Sequence, residues 1–350
     1  MSGPGARWER RWRVLSALAL AGVLLLGGLT LLAPGYARLA LMQPARDVLF
    51  FERELQPFSH YNEIERRSPQ PSETILLAAS GEASADVDLA LDLWRPATVP
   101  APVVLLLHGS SPRGRTLGFN VLLAERLRDA GWLVLTPDAR GFGDTGPPQD
   151  QNDPGAWFVT RDLQRLVTYA VQHPLGNGTV VAVGHSLGGS HLLTLDATAN
   201  HLAAIALIGP GRHSSEELPS WWQRVRFSSD RVIPGVLPPE VTATESQRHD
   251  ILKMPADTLA TVFNRPVLLM DGEREGERLI AVLREAAAQL GPAAIHLTIP
   301  GSHHYCGAYQ LPWPARTVYV RPEIFQRCFE PLTAFLTEAI AQSPGKSKRH

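Results

Sequence analysis

The chain has 350 residues, 44% hydrophobic and 19% charged, which excludes a disordered or fibrous protein and leaves room for one large domain with additions. Lysine and arginine total 33 against 34 for aspartate and glutamate, so bulk charge gives no sign of a nucleic-acid partner. Two cysteines without a CxxC pair, dispersed histidines, and no GxGxxG or Walker sequence argue against metals and nucleotide cofactors.

In chain order, residues 1–13 form a basic flank with Arg7, Arg10, Arg11 and Arg13. No charge then occurs before Arg38. Residues 14–33 are long enough to cross a bilayer, which takes about 20 apolar residues. The apolar region of a cleaved signal peptide, the chief rival, usually runs only about 7–15 residues. Tyr36-Ala37 and Leu39-Ala40 are poor cleavage sites. The expectation is a retained transmembrane anchor. The arginine bias favours a cytoplasmic N-terminus, with the remaining chain periplasmic or extracellular, as at a bacterial inner membrane.

Residues 34–72 read as a connector, with Pro44, Pro57, Pro69 and Pro71. Glu73–Ala79 and Ala85–Trp94 read as an antiparallel hairpin. Apolar runs at 103–107, 132–135, 179–183, 203–208 and 266–270 have the length and composition of strands buried on both faces. Helical patterns fall near 117–130, 156–172, 189–199, 278–290 and 322–340, with an alternating strand at 294–299. This alternation predicts a mostly parallel sheet with helices on both faces. The core spans 73–212 and 262–342. Residues 213–261 exceed a compact crossover and read as an insertion holding Trp221-Trp222, Pro234 and Pro238-Pro239. The Trp pair could line a pocket, touch a membrane interface or simply be buried. Residues 343–350 are a basic tail expected to be disordered.

Three motifs carry chemistry. Gly184-His185-Ser186-Leu187-Gly188 stands between a buried strand and a helix start. A turn this sharp leaves no room for side chains two residues either side of the serine. It exposes the serine Oγ at a helix N-terminus, where negative charge is favoured. The strand 103–107 ends in His108-Gly109-Ser110-Ser111, where Gly109 lets the backbone approach a ligand. Asp138-Ala139-Arg140-Gly141-Phe142-Gly143-Asp144-Thr145-Gly146 follows the strand 132–135 and resembles the D-x-R-G-x-G-x-S/T loop of the α/β-hydrolase superfamily, which implies that it braces the site without entering the chemistry.

These motifs, in this order and spacing, resemble the α/β-hydrolase superfamily of esterases and lipases across residues 73–340. The resemblance implies an α/β-hydrolase fold with residues 213–261 as a cap. It implies Ser186 as nucleophile and the N–H groups of Ser110 and Leu187 as oxyanion donors. The family order is serine, acid, histidine. The acid should follow the strand 266–270, and the family spacing from Gly272 selects Glu275, with Asp271 and Glu273 as alternates. The base should follow the strand 294–299, and the spacing selects His304, with His303 as alternate. An imidazole suits the task because its ordinary pKa lies near neutrality. His185 is expected to pack rather than ionise. The anchor and the Asp138–Gly146 loop also resemble the membrane-bound BEM46-type branch, which usually has His-Gly-Asn where this chain has His108-Gly109-Ser110.

The implied function is a membrane-anchored serine hydrolase acting on a small-molecule ester or related acyl bond, without cofactor or metal. An acyltransferase or amidase with the same triad, or an idle binding protein on the same fold, are the alternatives. Cys306 and Cys328 could be bridged or remain two small buried thiols.

Overall fold

The computed structural model describes residues 65–79, 86–109, 111, 113–146, 148–149, 159–192, 195, 201–210, 265–275, 277–310 and 318–342. The expected anchor at 14–33, the cap at 213–261, Ser110 and the tail lie outside those residues. Among the described residues no helix is long and apolar enough to cross a membrane.

Eleven strands are described: β1 (Glu65–Arg67), β2 (Glu73–Leu77), β3 (Leu89–Trp94), β4 (Ala101–Leu107), β5 (Leu133–Pro137), β6 (Gly176–His185), β7 (Leu202–Ile208), β8 (Val267–Gly272), β9 (Ala294–Ile299), β10 (Ala308–Gln310) and β11 (Val318–Val320). The helices are α1 (Gly118–Asp129), α2 (Thr160–Gln172), α3 (Leu187–Leu192), α4 (Glu277–Leu290) and α5 (Pro322–Gln342). The main sheet has eight strands in the order β2-β3-β5-β4-β6-β7-β8-β9. The run from β5 to β9 is parallel, and β3 is antiparallel to both of its neighbours.

The apolar strands divide their side chains between two cores. Val103, Leu105 and Leu107 of β4 face a layer with Leu163, Leu166, Val167 and Ala170 of α2 and Val282 and Ala286 of α4. Val104 and Leu106 face the opposite layer, with Phe119, Leu122 and Leu123 of α1 and Phe325, Leu332, Phe335 and Leu336 of α5. The i, i+3, i+4, i+7 spacing on α2 makes one apolar stripe, and each fully buried Leu or Val contributes about 1.5–3 kcal/mol. Pro322 opens α5, where its missing N–H costs nothing.

Chain order and sheet order disagree at one place, and that places the site. From β4 the chain crosses outward to β5, then returns past β4 to β6 and continues in one direction to β9. Because parallel crossovers keep one hand, this reversal puts α1 and α2 on opposite faces. It also opens a crevice at the carboxyl ends of β4 and β6.

Two features differ from the sequence reading. Glu65–Arg67 lie within the expected connector, yet pair with β11, which also pairs with β10. These three-residue strands carry no periodic pattern, and the pairing of β1 is supplied by a neighbour remote in sequence. The helix expected from residue 189 begins at Leu187, immediately after the serine.

Candidate active site

Ser186 is the single residue between the end of β6 and the start of α3. Its φ is +52°, a conformation that costs a non-glycine residue roughly 1–2 kcal/mol. Its N–H donates to the Ile208 carbonyl at 2.9 Å, which ties the turn to β7. The flanking glycines answer to space. A Cβ on Gly184 would stand 2.5 Å from the Gly188 oxygen, and one on Gly188 would stand 2.5 Å from the Leu107 oxygen.

The turn after β4 is held by His108. Its Nδ1–H donates to the Gly109 carbonyl at 2.7 Å, and its Nε2 accepts from the Ala139 N–H at 3.0 Å. Burial lowers its pKa, so the ring is neutral with both nitrogens engaged. It links the turns after β4 and β5 and carries no shuttled proton.

The Asp138–Gly146 loop is braced from below. Arg115 Nε donates to Asp92 Oδ1 at 2.9 Å and Nη2 to Asp144 Oδ2 at 2.6 Å, while Nη1 bonds Asp138. Asp138 also accepts from the N–H groups of Arg115 (2.5 Å) and Asp144 (2.8 Å). Burial by itself would lower the Arg115 pKa; Asp138, Asp144 and Asp92 outweigh it and raise it instead. Arg140 reaches both oxygens of Asp162, at 2.7 and 2.8 Å, and both side chains are buried.

β8 ends at Gly272, and a single 3-10 turn, Glu273–Glu275, follows. Glu275 Oε1 lies 3.3 Å from His304 Nδ1, with the carboxylate nearly buried and the imidazole about one-third exposed. The two alternate acids are engaged elsewhere. Asp271 Oδ2 lies 2.7 Å from His296 Nε2 on the neighbouring strand, and Glu273 Oε2 accepts from the Gly301 N–H at 2.7 Å. His303 contributes its carbonyl, which accepts from Ser302 Oγ–H at 2.8 Å and from the Cys306 N–H at 3.1 Å.

The loop that carries His304 is fixed on several sides. Cys306 and Cys328 are joined by a disulfide with Cα atoms 6.0 Å apart, which anchors the loop to α5. The Arg274 N–H donates to the Ser302 carbonyl at 3.0 Å, which joins the loops that carry Glu275 and His304. His185 Nε2 lies 2.9 Å from the His304 carbonyl.

Ser186, Leu187, Glu275 and His304 thus all follow the carboxyl ends of β6, β8 and β9, one rim of the sheet. Two participants carry no signal in the sequence. Gly209, at the end of β7 with φ +50°, leaves the space that the pair occupies: a Cβ there would stand 2.8 Å from His304 Nδ1 and 3.0 Å from Glu275 Oε1. The dipeptide Gly209-Pro210 reads like any turn, so only the contact distinguishes it. Arg115 is separated from both Asp92 and Asp138 by 23 residues, and no local pattern joins them.

Comparison with known proteins points to the same fold. Residues 102–253 match the family model for the alpha/beta hydrolase fold. The human protein ABHD12B is 26% identical over 219 residues, which cover 58% of this chain and 56% of that protein. The chain therefore spans little more than half the length of that relative. A monoacylglycerol lipase of Mycolicibacterium smegmatis is 25% identical over 247 residues, covering 62% of this chain and 86% of the lipase. Among solved structures, a soluble variant of monoglyceride lipase from Saccharomyces cerevisiae superimposes with a TM-score of 0.55 at 17% identity, covering 78% of this chain and 98% of that one.

Proposed function

As a member of the α/β-hydrolase superfamily, this chain is, we propose, a serine hydrolase that cleaves a carboxylic ester or related acyl bond with Ser186, His304 and Glu275. The observation that carries the reading is the backbone of Ser186. A serine held at φ +52° between strand and helix stores strain that packing alone does not require, and such strain gathers at functional sites.

The chemistry follows from the pairings. Glu275, 3.3 Å from His304 Nδ1, favours the tautomer with the proton on that nitrogen and leaves Nε2 as the base. Ser186 Oγ attacks the acyl carbon as its proton passes to His304 Nε2. The carbonyl becomes an oxyanion, received by the N–H groups of Leu187 and Ser110. The carbon–oxygen bond to the alcohol breaks, and His304 returns the proton to that alcohol. Water then attacks the acyl-enzyme by the same route in reverse, releasing the acid and restoring Ser186. Glu275 stabilises the imidazolium in both halves.

The ester class is supported by the likeness to the mycobacterial monoacylglycerol lipase. Residues 14–33 serve as the membrane anchor, with the N-terminus cytoplasmic, and residues 213–261 as the cap over the acyl pocket. Fluorophosphonate labelling of the wild type against Ser186→Ala tests the assignment. Labelling and hydrolysis of short p-nitrophenyl esters should both fall by several orders of magnitude. Undiminished labelling of the alanine variant refutes it. Release from membranes by carbonate, without detergent, refutes the anchor alone.

A further inference from the structure

His185 directly precedes the serine in the chain, yet its side chain belongs to the loop of His304. We propose that His185 is a positioning residue that sets the separation of nucleophile and base, through a hydrogen bond from its Nε2–H to the His304 carbonyl. This rests on the reading of Ser186 and His304 as nucleophile and base.

The direction of that bond follows from its partner. A carbonyl can only accept, so at 2.9 Å the proton sits on His185 Nε2. The neutral ring then carries its lone pair on Nδ1, which is buried and has no hydrogen-bond partner among the described residues. Burial, then the neighbouring His304 and His108, push the His185 pKa well below its ordinary value. A second proton would be buried without an acceptor, so the ring stays in one tautomer and takes no part in proton transfer.

The ring is also clamped. Phe119 of α1 packs at 4.6 Å between centroids, the His304 ring at 4.7 Å and Tyr305 at 5.3 Å. On the side of Nδ1 stands Gly109, where a Cβ would approach to 2.7 Å. The ring therefore touches the turn after β4, α1, and the loop after β9, while its own backbone leads directly into Ser186. Residues 119 positions apart, on elements that could slide against each other, are joined across one side chain. The disulfide at Cys306 holds the far side of the same loop.

Two substitutions separate the bond from the packing. His185→Phe keeps a ring but removes the donor, and His185→Gln keeps an N–H that can reach a carbonyl. The full chain in detergent would be assayed for kcat, KM, the rate of fluorophosphonate labelling and Tm. Loss of the bond should lower kcat and labelling about 100-fold in His185→Phe, the scale of a 1 Å misplacement, with KM near wild type. His185→Gln should recover at least about tenfold of that loss. Should His185→Phe not fold, His185→Met replaces it, since it matches glutamine in length without a donor. Wild-type kcat and labelling in the donor-less variant overturn the proposal. So do equal losses in the donor and donor-less variants in step with Tm, which would mark a purely packing role. Ser186→Ala is labelled in parallel. Its continued labelling overturns the hydrolase reading and this inference with it, whereas loss there with none in His185→Phe overturns the inference alone.

Discussion

Adding one methyl group at Gly209 should disable the site while leaving the fold intact. Two costs arise in Gly209→Ala. The first is backbone: φ +50° costs an alanine roughly 1–2 kcal/mol. At about 2–4 °C per kcal/mol for a domain of this size, Tm should fall by about 2–8 °C. The second is contact: the new Cβ would stand 2.8 Å from His304 Nδ1 and 3.0 Å from both His304 Cε1 and Glu275 Oε1. Ordinary contact begins at 3.4 Å, so the imidazole must retreat by at least about 0.6 Å, and the Glu275 oxygen beside it must also give way. A displacement of that order costs up to about 100-fold in rate when the group is a general base. Gly291→Ala is the control. Gly291 has φ +73°, and a methyl group there would meet nothing within 4 Å, so it carries the backbone cost alone. Steady-state hydrolysis of a short p-nitrophenyl ester, with Tm measured beside it, separates the two. Both variants should lose comparable Tm, and only Gly209→Ala should lose kcat. If Gly209→Ala keeps wild-type kcat, or Gly291→Ala loses as much, the assignment of Glu275 and His304 as acid and base is refuted.

Three further outcomes are expected. Reduction of the Cys306–Cys328 bridge, which closes a loop of 22 residues, should lower stability by about 3 kcal/mol by chain entropy, read as a drop in Tm with dithiothreitol; an unchanged Tm contradicts it. Among the described residues, Arg140→Ala leaves the buried Asp162 with Arg165, at 3.6 Å, as its ion-pair partner, and should cost about 3 kcal/mol in urea unfolding; a loss below about 1 kcal/mol would mean that the pair is open to water. His108 and His185 have folded pKa values below 6.5, so the unfolded chain takes up their protons first: stability holds above about pH 6.5 and falls below it, by up to about 1.4 kcal/mol per pH unit for each ring. Denaturant titrations should show that slope reduced in His185→Phe, and stability rising toward acid would reverse the assignment.

Local pattern alone determined the order along the chain of the eight main-sheet strands and the helices between them, and where chemistry was to be sought. Buried strands announce themselves by continuous apolar runs, and the turn around Ser186 by its paired glycines, although the space at Gly184 is limited by the turn itself and that at Gly188 by Leu107 of β4. The family spacing counted from Gly272 and from Gly301 favoured Glu275 and His304 but left Asp271, Glu273 and His303 open, because neighbouring positions in a short loop can reach the same place. Tertiary structure decided what lay beyond that range. Asp271 and Glu273 sit in the same short loop as Glu275, and only the neighbouring strand, which brings His296 to Asp271 and Gly301 to Glu273, shows why the third carboxylate is the one beside His304. Arg115 finds Asp92 and Asp138, and His185 finds the His304 carbonyl, across chain separations that carry no periodic signal. Buried polar groups must be paired wherever the fold brings a partner, and a linear pattern records the need for a partner without recording which one is brought.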